Sequence, residues 1–254
     1  MILAIDIGNT NIVLGGMEGD RILFQARLAT DRIKTSDQYA MDLRGCLSIY
    51  GVKPQDVEGC ILSSVVPPVL NAVRTGLQKA IHQNPLVVGQ GLKTGLNIKM
   101  DNPGQVGSDR IVIAVGAMLH YKPPLILMDL GTATTMEVVD EAGSYVGGCI
   151  IPGVRTSLDA LTSRAAQLPS ISLGQPGKVI GKNTVECMKS GILYGTAAMM
   201  DNMIDRLEEE LGAKTTVVAT GGIAPVILPL CKQKIHLEKD LMLQGLAELY
   251  RRNK

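Results

Sequence analysis

Residues 2–7, Ile-Leu-Ala-Ile-Asp-Ile, run into Gly8-Asn9-Thr10-Asn11 and then into Ile12-Val13-Leu14-Gly15. A short apolar run ends in an acid, a polar loop bearing a glycine turns the chain, and a second apolar run follows. A turn at Glu18-Gly19-Asp20 leads to a third apolar stretch, Ile22 to Leu28. The same order returns from residue 125: Leu-Ile-Leu-Met-Asp129-Leu, Gly131-Thr132-Ala133-Thr134-Thr135, then Met136-Glu137-Val138-Val139. Asp140-Glu141-Ala142-Gly143 turns that copy into Ser144-Tyr145-Val146-Gly147-Gly148. Each copy reads strand, Asp-x-Gly loop, strand, turn, strand. Aspartates 6 and 129 lie 123 residues apart, about half of the 254-residue chain. Two such units at that spacing predict a duplicated domain whose loops face each other across a cleft. Ordinary hairpins account for either copy alone, but both place Asp two residues before Gly and Thr after it.

The remainder alternates between helical and extended patterns. Helices are expected over Ser36–Tyr50, Pro67–Ala80, Asp109–Leu119, Val185–Leu211 (long or broken) and Leu241–Arg251. Pro67-Pro68 suits a helix's first turn. Strands are expected over Val57–Val65, Leu86–Val88, Thr215–Thr220 and Ile235–Leu237, with a turn at Gly221-Gly222. The class is therefore α/β. Lys122-Pro123-Pro124 interrupts the helical pattern, so the expected division is 1–118 for the first domain and 119–254 for the second.

Composition excludes several functions. Lys plus Arg number 25 and Asp plus Glu 24, a net charge of +1 that offers no basic field for nucleic acid or for a membrane surface. No apolar run approaches the roughly 18 residues of a membrane span. Met1-Ile2-Leu3-Ala4-Ile5-Asp6 lacks the basic n-region of a signal peptide, so a cytoplasmic location is expected. Cys46, Cys60, Cys149, Cys187 and Cys231 are scattered without a C-x-x-C pair and read as reduced, mostly buried thiols. His82, His120 and His236 stand far apart, without zinc-ligand or catalytic-triad spacing. With one Phe, six Tyr and no Trp, base-stacking platforms are not expected.

The loops carry the chemistry. A glycine-bearing loop between strands exposes backbone N–H groups and lets a phosphate approach. Asp6 and Asp129 repel phosphate directly, but through a cation or its water they can serve it. Either could instead cap its own turn. Gly177-Lys-Val-Ile-Gly181-Lys182-Asn183 is no P-loop, having three residues between its glycines and Asn where Ser or Thr belongs. Gly89-Gln-Gly91-Leu-Lys-Thr-Gly95 misses the dinucleotide fingerprint by one residue. At Gly107-Ser108-Asp109-Arg110, Ser108 or Asp109 could be an ordinary N-cap. The same residues could activate a hydroxyl and hold a carboxylate. Thr220-Gly221-Gly222 is either a tight turn or room for a flat ring.

Taken in order, these stretches resemble the motifs of type III pantothenate kinases: Asp6–Asn11, Gly107–Arg110, Asp129–Thr135, Gly147-Gly-Cys-Ile-Ile-Pro-Gly153 and Thr220–Gly222. The resemblance spans residues 2 to about 246. It implies the sugar kinase/Hsp70/actin fold, two ribonuclease-H-like domains with ATP in the cleft. It also implies ATP-dependent phosphorylation of the 4′-hydroxyl of pantothenate, the first step toward coenzyme A. Carried over by motif, the loop Asp6, Ile7, Gly8, Asn9, Thr10, Asn11, Ile12 and Val13 binds ATP. Asp6 then stands near Mg²⁺, directly or through water. Gly131, Thr132, Gly221 and Gly222 make further ATP contacts. Asp129 resembles the family's ligand for a monovalent cation, K⁺ or NH₄⁺. Asp109 resembles its general base, while Gly107, Ser108, Arg110 and Thr184 resemble its pantothenate contacts. Before Asp101-Asn102-Pro103 the family usually carries a pocket-lining Tyr. Here the residue is Met100, which supplies apolar contact without a hydroxyl. A homodimer is implied, with the Val185–Leu211 helix at the interface. Met188, Met199, Met200 and Met203 could serve that interface or the core. The alternatives are a kinase of the same superfamily for another hydroxy-acid or sugar, and a non-catalytic regulatory relative.

Overall fold

Asp6 and Asp129 each take the fifth place of a six-residue strand. The computed structural model describes residues 1–174 and 177–254. In chain order the elements begin β1 (Ile2–Ile7), β2 (Asn11–Glu18), β3 (Arg21–Ala29), α1 (Ser36–Ile49), β4 (Gly59–Ser64), α2 (Pro67–Ile81), β5 (Leu86–Val87), β6 (Asn97–Ile98) and α3 (Ser108–Met118). They continue β7 (Leu125–Leu130), β8 (Ala133–Val139), β9 (Ser144–Pro152), α4 (Val154–Arg164), α5 (Thr184–Leu211), β10 (Thr216–Thr220), α6 (Ala224–Ile227), β11 (Ile235–Leu237) and α7 (Leu241–Arg252).

The duplication is written in the strand order. One sheet runs β3-β2-β1-β4-β5, and the other, read from its far edge, runs β6-β9-β8-β7-β10-β11. In both, three consecutive strands, β1-β2-β3 and β7-β8-β9, form an antiparallel meander, and two later strands, β4-β5 and β10-β11, join it in parallel. The second sheet adds β6 beside β9. The two Asp-x-Gly hairpins differ in length, however. Ile7 faces Ile12 across the first, whereas Leu130 faces Thr134 across the second, so the second loop is one residue shorter.

The chain forms two compact units. Met1–Leu96, Asp101–His120 and Asp240–Lys254 make the first, Asn97–Met100 and Tyr121–Lys239 the second. Relative to a division at 118/119, α7 lies with the first unit and β6 with the second. In the first unit β1 is buried on both faces, which is why it reads as an almost continuous apolar run. Leu3, Ile5 and Ile7 pack with Tyr39 and Leu43 of α1 and Val73 and Leu77 of α2. Ala4 packs on the opposite face with Val112 of α3 and Leu243 and Leu246 of α7. Alternation puts Asp6 on that same α3-bearing face. The closing helix can lie against α3 because Gly116 and Gly245 let the two backbones touch. A Cβ on Gly245 would stand 3.0 Å from the Val112 carbonyl carbon. α1 starts at Thr35, whose hydroxyl accepts from the Gln38 N–H while the Gln38 side chain accepts from the Thr35 N–H.

In the second unit α5 is one unbroken helix of 28 residues. Its Leu193, Ala197, Met200 and Ile204 stripe packs on Ile126, Met128, Met136 and Val138. Met200 is core and Met188 is buried, while Met199 and Met203 are partly buried against the same cluster. No disulfide joins the cysteines: Cys46 and Cys60 are buried, Cys149 and Cys231 half-buried, and Cys187 exposed, so fewer are buried than expected. Burial pushes the Cys60 and Cys231 thiols up to about 12. Among the described residues no helix is long and apolar enough to cross a membrane.

Candidate active site

In the first unit the site is built where β1, β4 and α3 end or begin together. Parallel pairing sets Asp6 directly beside Ser63, so both side chains leave the same face of the sheet. Ser63 is fully buried, and its Oγ lies 3.0 Å from Ser108 Oγ at the head of α3. The Ser108 hydroxyl also accepts from the Ser64 N–H at 3.1 Å and lies 3.0 Å from the Ser64 carbonyl oxygen. Ser108 is thus a tether, not an N-cap. Gly107 holds the cap position, and Ser108 is the first helical residue. Asp109 follows in the first turn, its Oδ1 accepting from the Arg110 N–H at 2.8 Å. A side chain at residue 107 would crowd that oxygen, since its Cβ would stand 2.5 Å away. The tether therefore starts α3, with Asp109 and Arg110 in its first turn, at the carboxyl end of β4, whose Ser63 pairs with Asp6. Carboxyl ends of parallel strands are where α/β sheets bind ligands.

The loop after β1 is held open and rigid. Gly8 N–H donates to the Asn11 carbonyl at 3.0 Å, and Thr30 Oγ1 donates to the Gly8 carbonyl at 2.7 Å. Asn9 and Thr10 are exposed. Ile7 and Ile12 spend their side chains in the core, so only their backbones can meet a ligand. Val13 is half-buried against the α3 side.

The second unit repeats the arrangement. Asp129 pairs with Thr220 on β10, as Asp6 pairs with Ser63 on β4, and with Thr135 on β8. Gly221, at φ +102°, comes so close that a Cβ there would lie 2.7 Å from Asp129 Oδ1 and 2.6 Å from the Leu130 carbonyl oxygen. Only glycine leaves that cradle open, and its walls are a carboxylate and a carbonyl oxygen, hard donors of the kind alkali and alkaline-earth cations take. The Thr132 carbonyl is fixed by the Gly153 N–H at 3.2 Å and by the Thr156 hydroxyl at 2.7 Å. Gly131, Thr132 and Gly222 are exposed around it. Among the described residues no three His, Cys, Asp or Glu gather as a metal cage.

Met100 follows β6, half-buried, and its sulfur stands 3.7 Å from where a Cβ on Gly147 would lie. Lys99 beside it pairs with Asp140 at 2.9 Å, which holds the Asp140 carboxyl below its ordinary range. Thr184 is exposed at the first turn of α5, after the N-cap Asn183. Sequence reasoning missed Ser63 and Ser64. Their signal is the second-half parallel: strand 59–64 ends in hydroxyls where strand 216–220 ends in Thr220.

A family model for type III pantothenate kinase matches residues 2–206. The chain belongs to the type III pantothenate kinase family. Proteins bearing that name are 47% identical over 253 residues in Exiguobacterium sp., covering 100% of this chain and 99% of the relative. In Listeria welshimeri the figures are 44% over 254 residues, covering 100% and 98%. Membership assigns this kinase the phosphorylation of pantothenate in coenzyme A biosynthesis. Solved structures agree on the fold. The Clostridium difficile activator of 2-hydroxyisocaproyl-CoA dehydratase aligns at TM-score 0.59 with 13% identity, covering 98% of this chain and 93% of that one. The polyphosphate/ATP-glucomannokinase of an Arthrobacter strain aligns at 0.51 with 14% identity, covering 98% of each chain. The fold is that of the actin/Hsp70/sugar-kinase group.

Proposed function

We propose that Asp109 takes the proton from the 4′-hydroxyl of pantothenate as that oxygen attacks the γ-phosphorus of ATP. The new bond is O–P, the bond broken is the one to the β–γ bridging oxygen, and ADP leaves. The observation that supports this reading is the Ser108 tether, which holds the first turn of α3 to the carboxyl end of β4, where Ser63 pairs with Asp6. An ordinary Asp, with a pKa of about 3.9, is a weak base for an alcohol. It suffices where the proton leaves late in a loose transition state. Arg110 holds the pantothenate carboxylate, a charge-assisted pairing, and Gly107 and Ser108 are further acceptor contacts on the first unit; on the second, Thr184 is an acceptor contact and Met100 an apolar one. The backbone N–H groups of Asn9 and Thr10 donate to phosphate oxygens, and Thr132, Gly221 and Gly222 make further ATP contacts. Mg²⁺ near Asp6 and K⁺ or NH₄⁺ at Asp129, when bound, supply the neutralisation of phosphate charge that such a transfer needs.

The test is ADP release by purified protein with ATP, Mg²⁺ and pantothenate, run in K⁺ and again in Na⁺. Turnover that depends on pantothenate and is faster in K⁺ is expected. Turnover with other hydroxy-acids but not with pantothenate would turn the reading toward a different acceptor, with Met100 as the reason. The same reading includes a cytoplasmic homodimer. Its support is apolar surface on the second unit, where Ile150, Val179 and Ile180 are 65%, 64% and 82% exposed. Light scattering is expected to return twice the chain mass, and a monomer mass at micromolar concentration would remove the dimer.

A further inference from the structure

One buried acidic side chain in the second unit takes no part in the chemistry above. Glu137 is 2% exposed and Tyr145 is fully buried, and the Tyr145 hydroxyl donates to Glu137 Oε2. Glu137 faces Leu127 on β7 and Gly148 on β9, while Thr135, two residues earlier, faces Asp129. Asp129, Thr135 and Glu137 therefore share one face of the sheet. Met128, Met136 and Val138 leave the other face for the core. A carboxylate buried in an apolar strand is costly unless its hydrogen bonds are met.

Two irregularities bring the phenol to it. The register shifts between Val138 and Val139, so that Val138 faces Gly147 and Val139 faces Tyr145. Such a bulge bends the strand and re-aims its side chains. Gly148, directly opposite Glu137, has no side chain to fill the space beside the carboxylate, and a Cβ there would run into the Met136 carbonyl. Tyr145 in turn helps hold β6, beside Ser144, which pairs with Asn97 and whose hydroxyl accepts from the Asn97 amide at 3.0 Å. Tyr145 pairs with Ile98, and its carbonyl accepts from the Lys99 N–H at 2.8 Å. Met100 is next in sequence and lies against Gly147. Continuous contact thus runs from Glu137 through Tyr145 and β6 to Met100.

We propose that Glu137 and Tyr145 are positioning residues for the phosphoryl acceptor: by fixing β9 against β8, and with β9 the strand β6 that pairs with it, they set where Met100 stands. This rests on the reading of Met100 as a wall of the pantothenate site. Neither residue touches the transferred group, and both act through that wall.

The test is steady-state kinetics of Tyr145→Phe and Glu137→Gln, with ATP and pantothenate each varied in turn. Tyr145→Phe keeps the ring in place and removes only the hydroxyl, so it carries the test even if Glu137→Gln does not fold. The expected result is a KM for pantothenate raised about ten-fold, the scale of one lost hydrogen bond. The KM for ATP, kcat and the K⁺ over Na⁺ preference should stay near wild type. A purely structural pair would lower the melting temperature without separating the two KM values. Unchanged KM values, or equal rises in both, overturn the proposal while leaving the kinase reading intact. A wild-type protein inert toward pantothenate overturns both.

Discussion

Asp109→Asn is expected to lower turnover about 10²–10⁴-fold, the range for losing a positioned general base, or roughly 3–5 kcal/mol of barrier. The substitution is nearly isosteric. An Asn side-chain oxygen can still accept from the Arg110 N–H, as Asp109 Oδ1 does at 2.8 Å, so the first turn of α3 keeps its hydrogen bond. Ser108 still ties that turn to Ser63 and Ser64. What disappears is the ability to take a proton. The loss should therefore fall on kcat, with the KM for ATP and the melting temperature close to wild type. The K⁺ over Na⁺ preference should persist in the residual rate, because the change leaves the Asp129 cradle alone. ADP release and a thermal melt on the same preparation read all of this. Normal turnover in Asp109→Asn would remove the base assignment, and a collapse in melting temperature would mean that the charge serves the helix end instead.

The sequence displays the duplication because it is carried by local signals: an apolar run buried on both faces, an acid at its end, and a glycine turn. Those signals survive in β1 and β7 regardless of what packs on them. The one-residue difference between the two hairpin loops is hard to see because both copies keep Asp two residues before Gly, while the pairing beyond the glycine depends on turn geometry. Placing α7 with the first unit requires knowing that Gly116 and Gly245 meet, a contact between residues more than a hundred positions apart. α4 escapes notice because only Val154 and Leu158 are buried in it, too sparse a stripe to show a helical period. β6, at two residues, is too short to show any period. Among the candidate residues, Asp6, Asp109 and Asp129 stand out in the sequence as acids in suggestive settings. Ser63 does not, because its role comes from lying beside Asp6 in a parallel pairing. The reading of Ser108 as a cap failed for the same reason: its hydroxyl is claimed by β4, a partner 44 residues away.

Asp129→Asn should give a different fingerprint, and the difference tests the division of labour between the two acids. Asp129 sits where a carboxylate has no direct business with phosphate, since like charges repel at short range. If it served only to cap its own turn, Asn would replace it well, because Asn makes the same turns. Removing the negative charge would, if anything, ease the approach of ATP. If instead Asp129 Oδ1 and the Leu130 carbonyl hold a cation in the cradle that Gly221 leaves open, the neutral variant loses the ion. Phosphate charge then goes uncompensated as it builds. The expected outcome is a fall in turnover of about 10²–10³-fold, the cost of deleting one preorganised electrostatic partner. With it should go a raised KM for ATP and the disappearance of any difference between K⁺ and Na⁺. That last readout separates the two acids, since Asp109→Asn slows both salts alike. An Asp129→Asn enzyme that still prefers K⁺ would place the monovalent ion elsewhere and return Asp129 to the turn.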